Sequence, residues 1–263
     1  MSLKEQTVQE IASQLLEAEK SCTPIDPITA RYPEMTYDEA YAVQLKTIEA
    51  KVKAGAVVVG RKIGLTSKAM QELIGIDEPD FGIIVDSKVF SEGEVIRADS
   101  MMVPRIEAEI GFLLKRDLRG PGVTVVDVLA ATEGVMPLLE VKDTRIKNLK
   151  PTIMDAIADN ATSGIVILGG KLTSLTPDID LRLIGMIFER NGEIMGTAAG
   201  AAALGNPAEP VAWLANKLAR YGITLGKGEF VMSGGLTTAL EVKPGSCFKA
   251  TFDRLGSVSA RFI

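Results

Sequence analysis

The sequence predicts an α+β protein, with a small helical N-terminal region over residues 1–60 and a larger β-rich body over 61–263. Three observations lead there. Apolar residues recur at helical spacing near the start, at Val8, Ile11, Leu15 and Leu16. From Asp80 onward, short apolar or alternating runs bounded by turn residues take over. Helices come early and strands late, without the regular alternation of a βαβ protein.

The elements follow in order. Residues 4–20 make an amphipathic helix. Thr36-Tyr37-Asp38-Glu39 is a capping-box pattern, opening a helix through Ala42, Leu45 and Ile48 that ends near Gly55. Residues 56–59 form a short β run. Gly60-Arg61-Lys62-Ile63-Gly64-Leu65-Thr66 then reads as a glycine-flanked loop carrying two cations. Ser67 caps a helix over 68–74, and Gly75 stops it. Strands are expected at 81–85, 105–115, 135–142, 165–168, 183–190, 229–233, 247–253 and 257–262, with a hairpin turn at Asn191-Gly192. One clear helix interrupts them, over 208–221, with Val211, Leu214 and Leu218 on one face and Gly222 after it. The glycine-rich stretches 196–205 and 234–235 lack the fixed spacing of a P-loop or a dinucleotide fingerprint. They read as turns or close backbone contacts.

Composition narrows the function. Hydrophobic residues make up 46% of the 263 and charged residues 24%, an ordinary globular balance. The net charge of −5 and the absence of a basic run argue against nucleic acid as a partner. No apolar stretch approaches the ~20 residues of a membrane helix, and Met-Ser-Leu-Lys-Glu-Gln carries no signal-peptide core. Cys22 and Cys247 are too few for a disulfide framework, which points to a reducing cytoplasm. The chain has no histidine, which removes Ser-His and Cys-His nucleophilic systems and the usual zinc sites. Acid–base work falls to Asp, Glu, Lys, Tyr, Cys or a metal-bound water.

Within Arg105-Ile106-Glu107-Ala108-Glu109-Ile110 a period of two puts Glu107 and Glu109 on one face of a strand. Ile106, Ala108, Ile110, Phe112 and Leu114 lie on the other. Such alternation is also the ordinary signature of a strand with one solvated side. Glu140 differs, because it closes the apolar run Val135-Met136-Pro137-Leu138-Leu139. Ionised carboxylates in apolar sequence need a neutralising charge. Three of them without histidine suit a hard divalent cation, Mg²⁺ or Mn²⁺.

Several segments together resemble one known group. They are Gly60-Arg61-Lys62-Ile63-Gly64-Leu65-Thr66-Ser67, Glu78-Pro79-Asp80-Phe81-Gly82, Pro104-Arg105-Ile106-Glu107-Ala108-Glu109-Ile110 and Glu140-Val141. Ala158-Asp159-Asn160-Ala161, Ala199-Gly200-Ala201-Ala202 and Leu255-Gly256-Ser257-Val258 continue the series. The pattern is similar to the hydratase/decarboxylase group of the fumarylacetoacetate hydrolase superfamily, over essentially the whole chain. Members act late in meta-cleavage degradation of aromatic compounds. The resemblance implies a β-roll-like C-terminal body and one Mg²⁺ or Mn²⁺ held by Glu107, Glu109 and Glu140. It implies catalytic roles for Lys62 and Asp80, and substrate contacts from Leu65, Thr237 and Thr238.

Two activities share these residues. One is decarboxylation of 2-oxo-3-hexenedioate, or 4-oxalocrotonate, to 2-hydroxypenta-2,4-dienoate; the other is hydration of that dienol. Arg61-Lys62 and Pro79-Asp80-Phe81-Gly82 look more like hydratases. Asn148-Leu149-Lys150, the segment Ser233-Gly234-Gly235-Leu236-Thr237-Thr238-Ala239 and the chain end look more like decarboxylases, the reading favoured here. In either case a 2-oxo acid meets a Lewis-acid cation. Lys62 would pair with a substrate carboxylate or stabilise an enolate oxygen. Asp80 would handle a proton or position a water. The expected partners are the small 2-oxo acid and a homologous hydratase or decarboxylase, or further copies of the chain as a homo-oligomer. A third reading is a non-catalytic partner subunit of a sister enzyme. Hydrolysis of acylpyruvates by other members typically uses a Glu-His pair, which this chain lacks.

Overall fold

A computed structural model describes residues 3–147 and 152–263. Asn148, Leu149 and Lys150, which favoured a decarboxylase in sequence, lie outside the described residues. The N-terminal region holds α1 (Glu5–Ser21), α2 (Ile28–Arg31) and α3 (Tyr37–Lys53). α1 buries Val8, Ile11, Ala12, Leu15 and Ala18, the stripe its spacing predicts. α3 opens with the expected capping box, in which the Glu39 N–H donates to Thr36 Oγ1 and the Thr36 N–H to Glu39 Oε2.

The body follows as β1 (Val58–Gly64), α4 (Lys68–Ile74), β2 (Asp80–Val85), β3 (Val89–Ser91), β4 (Val95–Ile96) and β5 (Arg105–Leu114). Next come α5 (Val125–Ala131), β6 (Thr132–Lys142), α6 (Ile153–Ala158), β7 (Ser163–Leu168), β8 (Gly185–Arg190) and β9 (Glu193–Ala199). The chain ends with α7 (Ala208–Ala219), β10 (Phe230–Met232), β11 (Leu240–Glu241), β12 (Cys247–Phe252) and β13 (Gly256–Phe262). An eight-stranded sheet has the order β2-β1-β10-β5-β6-β7-β3, with β11 also paired to β5. A five-stranded sheet has the order β4-β13-β12-β8-β9. β1 runs parallel to β10 and β3 to β7, while β5 and β6 form a long antiparallel pair.

Three expectations need correction. The segment 60–64 is not a loop but most of β1, paired on both sides. Glycines and two adjacent cations hide a strand from propensity, yet Gly60 is required there: a Cβ would stand 2.7 Å from the Phe230 carbonyl oxygen. The glycine-rich stretch 196–205 begins inside a strand, β9, although Gly200 is indeed a close contact, against the Leu181 carbonyl. The body also holds α5 and α6, which are too short for helical periodicity to show. Their capping boxes, Thr124 with Asp127 and Thr152 with Asp155, are the local signal that marks them.

Register decides what the larger sheet carries. Ile63, Phe81, Ile106, Phe112, Leu139 and Val231 join a core with α1, α3, α7 and the smaller sheet. The opposite face carries a second buried cluster of Ile84, Met136, Leu138, Val166, Phe230 and Met232. A sheet covered on both faces has no solvated side to hold polar residues cheaply.

Gln44 ties the N-terminal helices to this frame. It is fully buried on α3, and its Nε2 donates to the Phe81 carbonyl (2.8 Å) and the Ile157 carbonyl (2.9 Å). Gln44→Leu deletes both donors at similar volume. The expected cost is about 1–2 kcal/mol, the scale of buried acceptors losing a partner. It would be read as a lower urea midpoint at an unchanged slope; an unchanged midpoint would show that the two carbonyls are satisfied without Gln44.

Candidate metal centre and active site

β5 and β6 pair with Glu107 opposite Glu140 and Glu109 opposite Leu138. Opposed residues share a face, and the period of two keeps Glu107 and Glu109 together. The register continues outward: Met232 lies opposite Gly111 of β5 and Lys62 of β1, Lys62 opposite Gly82, and Gly64 opposite Asp80. One face of the larger sheet therefore carries Asp80, Lys62, Glu109, Glu107 and Glu140 beside the apolar cluster of Met232, Leu138 and Phe230. All five are buried, with Glu109 0% and Glu140 1% exposed. One oxygen from each of the three glutamates lies within 4.8 Å of the others.

Close backbone approach finishes the site. After β10 the chain runs along β5, with the Ser233 N–H donating to the Ile110 carbonyl and the Leu236 N–H to the Ala108 carbonyl (both 3.1 Å). Between them the Gly234 N–H donates to Glu109 Oε2 (2.7 Å). Gly234 has φ +100°, and its Cβ would lie 2.0 Å from Thr66 Oγ1; a Cβ on Gly235 would lie 2.5 Å from Glu107 Oε2. Side chains at either position would displace these groups.

Lys62 Nζ donates to the Ala161 carbonyl (2.8 Å) and forms an ion pair with Glu140 Oε1 (2.8 Å). Burial works to lower the Lys62 pKa, but Glu140, Asp80 and Glu107 together hold its ammonium above the ordinary value. Burial, helped by the charges of Glu140 and Glu107, pushes the Glu109 carboxyl well above the usual range. Burial also raises Glu140 and Asp80 against the opposing pull of Lys62. Glu109 Oε1, both Glu140 oxygens and Asp80 Oδ1 have no directed hydrogen bond among the described residues. Buried carboxylate oxygens left in this state are costly. An all-oxygen set of three carboxylates without histidine fits a hard divalent cation.

The carbonyl that meets Lys62 comes from a strained turn. Asn160, Ala161 and Thr162 are three consecutive non-glycine residues with φ of 53°, 50° and 55°. Asn160 acts like a strand partner to Ile83 of β2: its Oδ1 accepts from the Ile83 N–H (2.8 Å) and its Nδ2 donates to the Ile83 carbonyl (2.9 Å). Arg145 donates to the Asp159 side chain and carbonyl and to the Ser163 carbonyl, which anchors both ends of the turn. Gly82 makes room, since a Cβ there would stand 2.6 Å from the Asn160 carbonyl oxygen.

The structure thus brings together Glu107, Glu109, Glu140, Lys62 and Asp80. It places Lys62 on a strand, 2% exposed, where the sequence suggested a loop. Leu65 is half-buried in the left-handed region, and its carbonyl accepts from Gln71 Nε2 (2.7 Å). Thr237 is half-buried with an unpartnered, buried Oγ1, and its methyl faces Gly196 of β9; Thr238 is exposed. Sequence reasoning passed over Lys142 and the clamp made by Asn160. Lys142 had a legible signal, since it stands two residues after Glu140 on the same face. A surface cavity of about 830 Å3 opens between α1 and residues 23–31, but none of its lining residues belongs to the glutamate face.

The positioning role of the turn is open to test. Asn160→Ala removes both bonds to Ile83 and frees the Ala161 carbonyl to drift from Lys62. Turnover should fall on the order of 10-fold, the scale of a small misplacement of a reacting group, while Mg²⁺ affinity holds. Parallel kinetics and a Mg²⁺ titration would check it; a loss of metal affinity equal to the loss of rate would mean general collapse of the site.

The C-terminal family model of fumarylacetoacetate (FAA) hydrolase matches residues 55–263. An Escherichia coli protein named 2-oxo-hept-4-ene-1,7-dioate hydratase is 43% identical over 260 residues, covering 96% of this chain and 97% of that one. A Pseudomonas sp. (strain CF600) 4-oxalocrotonate decarboxylase is 42% identical over 262 residues, 100% of this chain and 99% of that one. The solved 4-oxalocrotonate decarboxylase from Pseudomonas putida G7, complexed with magnesium and adipate, superposes with a TM-score of 0.96. It is 40% identical, with 100% of this chain and 99% of that one covered.

Proposed function

This chain belongs to the fumarylacetoacetate hydrolase family, and we propose that within it the protein is a Mg²⁺- or Mn²⁺-dependent lyase that decarboxylates 2-oxo-3-hexenedioate to 2-hydroxypenta-2,4-dienoate. One observation carries the reading: three buried glutamates, two of them with oxygens that lack a hydrogen bond, share a sheet face with a buried lysine and a buried aspartate. A magnesium-bound decarboxylase of nearly identical fold supports it.

Glu107, Glu109 and Glu140 would hold the cation, which when bound supplies Lewis-acid polarisation of the substrate's 2-oxo group. The chain's own residues do the rest. The breaking C5–C6 bond sends its electrons through C4 and C3 to the C2 oxygen, and C6 leaves as CO₂. Lys62 holds a full positive charge in the apolar-walled face and stabilises the negative charge that develops on that oxygen. Asp80, buried on the same face with its Oδ1 free of a hydrogen bond, is the group that passes a proton to the same oxygen to give the dienol. Leu65 walls the substrate, and the Thr237 hydroxyl hydrogen-bonds its second carboxylate, with Thr238 at the mouth. No side-chain nucleophile enters, in keeping with a chain that has no histidine.

Hydration is the second reading, favoured by the E. coli hydratase at 43% identity. The same residues serve it, because the dienol ketonises at the 2-oxo end before water adds at C4. That relative and the decarboxylases are both named for dicarboxylates, so recognition of a distal carboxylate does not separate the two. A homologous lyase or a second copy of the chain is the protein partner. The compartment is the cytoplasm, in keeping with two free cysteines; among the described residues no helix is long and apolar enough to cross a membrane. A non-catalytic partner subunit would have no use for three glutamates buried together on one face.

Two outcomes follow. Glu109→Gln should lower Mg²⁺ affinity and turnover together by orders of magnitude, whereas Lys62→Ala should cost at least ~100-fold in turnover, the scale of one lost charge-stabilising donor. Full activity of Glu109→Gln after EDTA treatment would sink the metal assignment. The reaction itself is decided by kcat/KM with Mg²⁺ for CO₂ release from 2-oxo-3-hexenedioate against water addition to 2-hydroxypenta-2,4-dienoate. Decarboxylation is expected to be faster, and the reverse order would establish the hydratase.

A further inference from the structure

Lys142 closes β6 two residues after Glu140, opposite Arg105 of β5. Its Nζ stands 3.2 Å from Glu107 Oε1 and 3.2 Å from Glu107 Oε2, and among the described residues it has no other hydrogen-bond partner. The two lysines of the site differ in kind. Lys62 has 2% of its side chain exposed and is committed to Glu140 and the Ala161 carbonyl. Lys142 has 32% exposed and sits at the rim on a flexible four-carbon stem. Arg105 beside it is exposed and makes no ion pair with the three glutamates.

The ammonium of Lys142 therefore covers both oxygens of Glu107, one of which a cation held by the three glutamates must take. Once that oxygen is taken, Lys142 loses half its pairing and faces a like charge across the carboxylate, and its free side is solvent. The charges on the face point the same way. On this face the acidic side chains Glu107, Glu109, Glu140 and Asp80 outnumber the basic Lys62 and Lys142. A divalent cation makes up the missing positive charge, and an incoming carboxylate then needs a cation released from its own partner. Lys142 is the one so released. If the cation polarises the 2-oxo group as proposed, the C1 carboxylate beside it would lie nearest the glutamates and the distal carboxylate at the far end of the carbon chain.

We propose that Lys142 is a carboxylate-binding residue of this site: it shields Glu107 in the metal-free protein and turns to the C1 carboxylate of a 2-oxo acid when a divalent cation takes Glu107. This rests on the reading of the site as a metal-dependent 2-oxo-acid site. Calorimetry separates the two. Mg²⁺ is titrated into wild type, Lys142→Met and Lys142→Arg, and then pyruvate, a 2-oxo acid with only the C1 carboxylate, is titrated into each Mg²⁺-saturated protein. Lys142→Met should bind Mg²⁺ at least as tightly as wild type, because a competitor for Glu107 is gone. It should bind pyruvate about 10-fold more weakly or worse, the scale of one charge-assisted hydrogen bond. Lys142→Arg should keep most of the pyruvate affinity. Unchanged pyruvate binding in Lys142→Met overturns the proposal. So does a parallel loss of Mg²⁺ affinity, which would make Lys142 a structural counter-charge. If wild type loaded with Mg²⁺ fails to bind pyruvate, the 2-oxo-acid reading itself falls, a result distinct from either. Should Lys142→Met fail to fold, Lys142→Gln is judged by the same criteria.

Discussion

The constraint on which the rest of the molecule depends is the burial of negative charge on one face of a β-sheet. Glu107 and Glu140 face each other across β5 and β6, and Glu109 adjoins them. Because the larger sheet is covered on both faces, these carboxylates are largely cut off from water. The cost of such desolvation is several kcal/mol per ion unless opposite charge or hydrogen bonds offset it. The surrounding architecture supplies that offset. β1 brings Lys62 along the same face, the end of β6 brings Lys142, and the turn after β10 lends the Gly234 N–H to Glu109. What remains uncompensated, several carboxylate oxygens without partners, is where a divalent cation belongs.

Local rules give way around this demand. β1 places glycines and charged residues in a strand that propensity disfavours, and Asn160, Ala161 and Thr162 adopt left-handed backbone without glycine. Each departure has a visible support. The Phe230 backbone and ring sit where a Gly60 side chain would be, Asn160 clamps Ile83, and Arg145 grips Asp159. Breaches of local preference concentrated around one set of side chains are the usual mark of a functional site.

The same geometry explains why decarboxylation and hydration share one scaffold. Both begin with charge moving onto or off the C2 oxygen, the end of the substrate that the proposed function assigns to the buried lysine, aspartate and glutamates. The reactions differ further along the carbon chain, the part that the proposed function assigns to the segment 233–239, where Thr237 approaches Gly196 of β9. On the proposed function the larger sheet supplies the chemistry common to both reactions, and the segment between β10 and β11 is the one that tells them apart.

Much of this was legible in the sequence. The alternation at 105–114 gave the right strand and the right partition of its residues, the Thr36–Glu39 capping box opened α3 as expected, and Asn191-Gly192 turned a hairpin. Those signals are local, carried by residues within a few positions of each other. The absence of histidine likewise narrows the chemistry from composition alone. Three things were not legible. A period of two tells which residues share a face, but not whether that face meets water; packing with other segments, β6 and the distant β10 among them, decided that it largely does not. Lys62 read as a loop lysine because the partners that make its segment a strand, β2 and β10, are remote. The carbonyl it meets belongs to Ala161, 99 residues away. Sequence alone determined the element types with strong local patterns and the donor chemistry available, while tertiary structure decided burial and convergence, because both depend on contacts between segments that the chain itself keeps far apart.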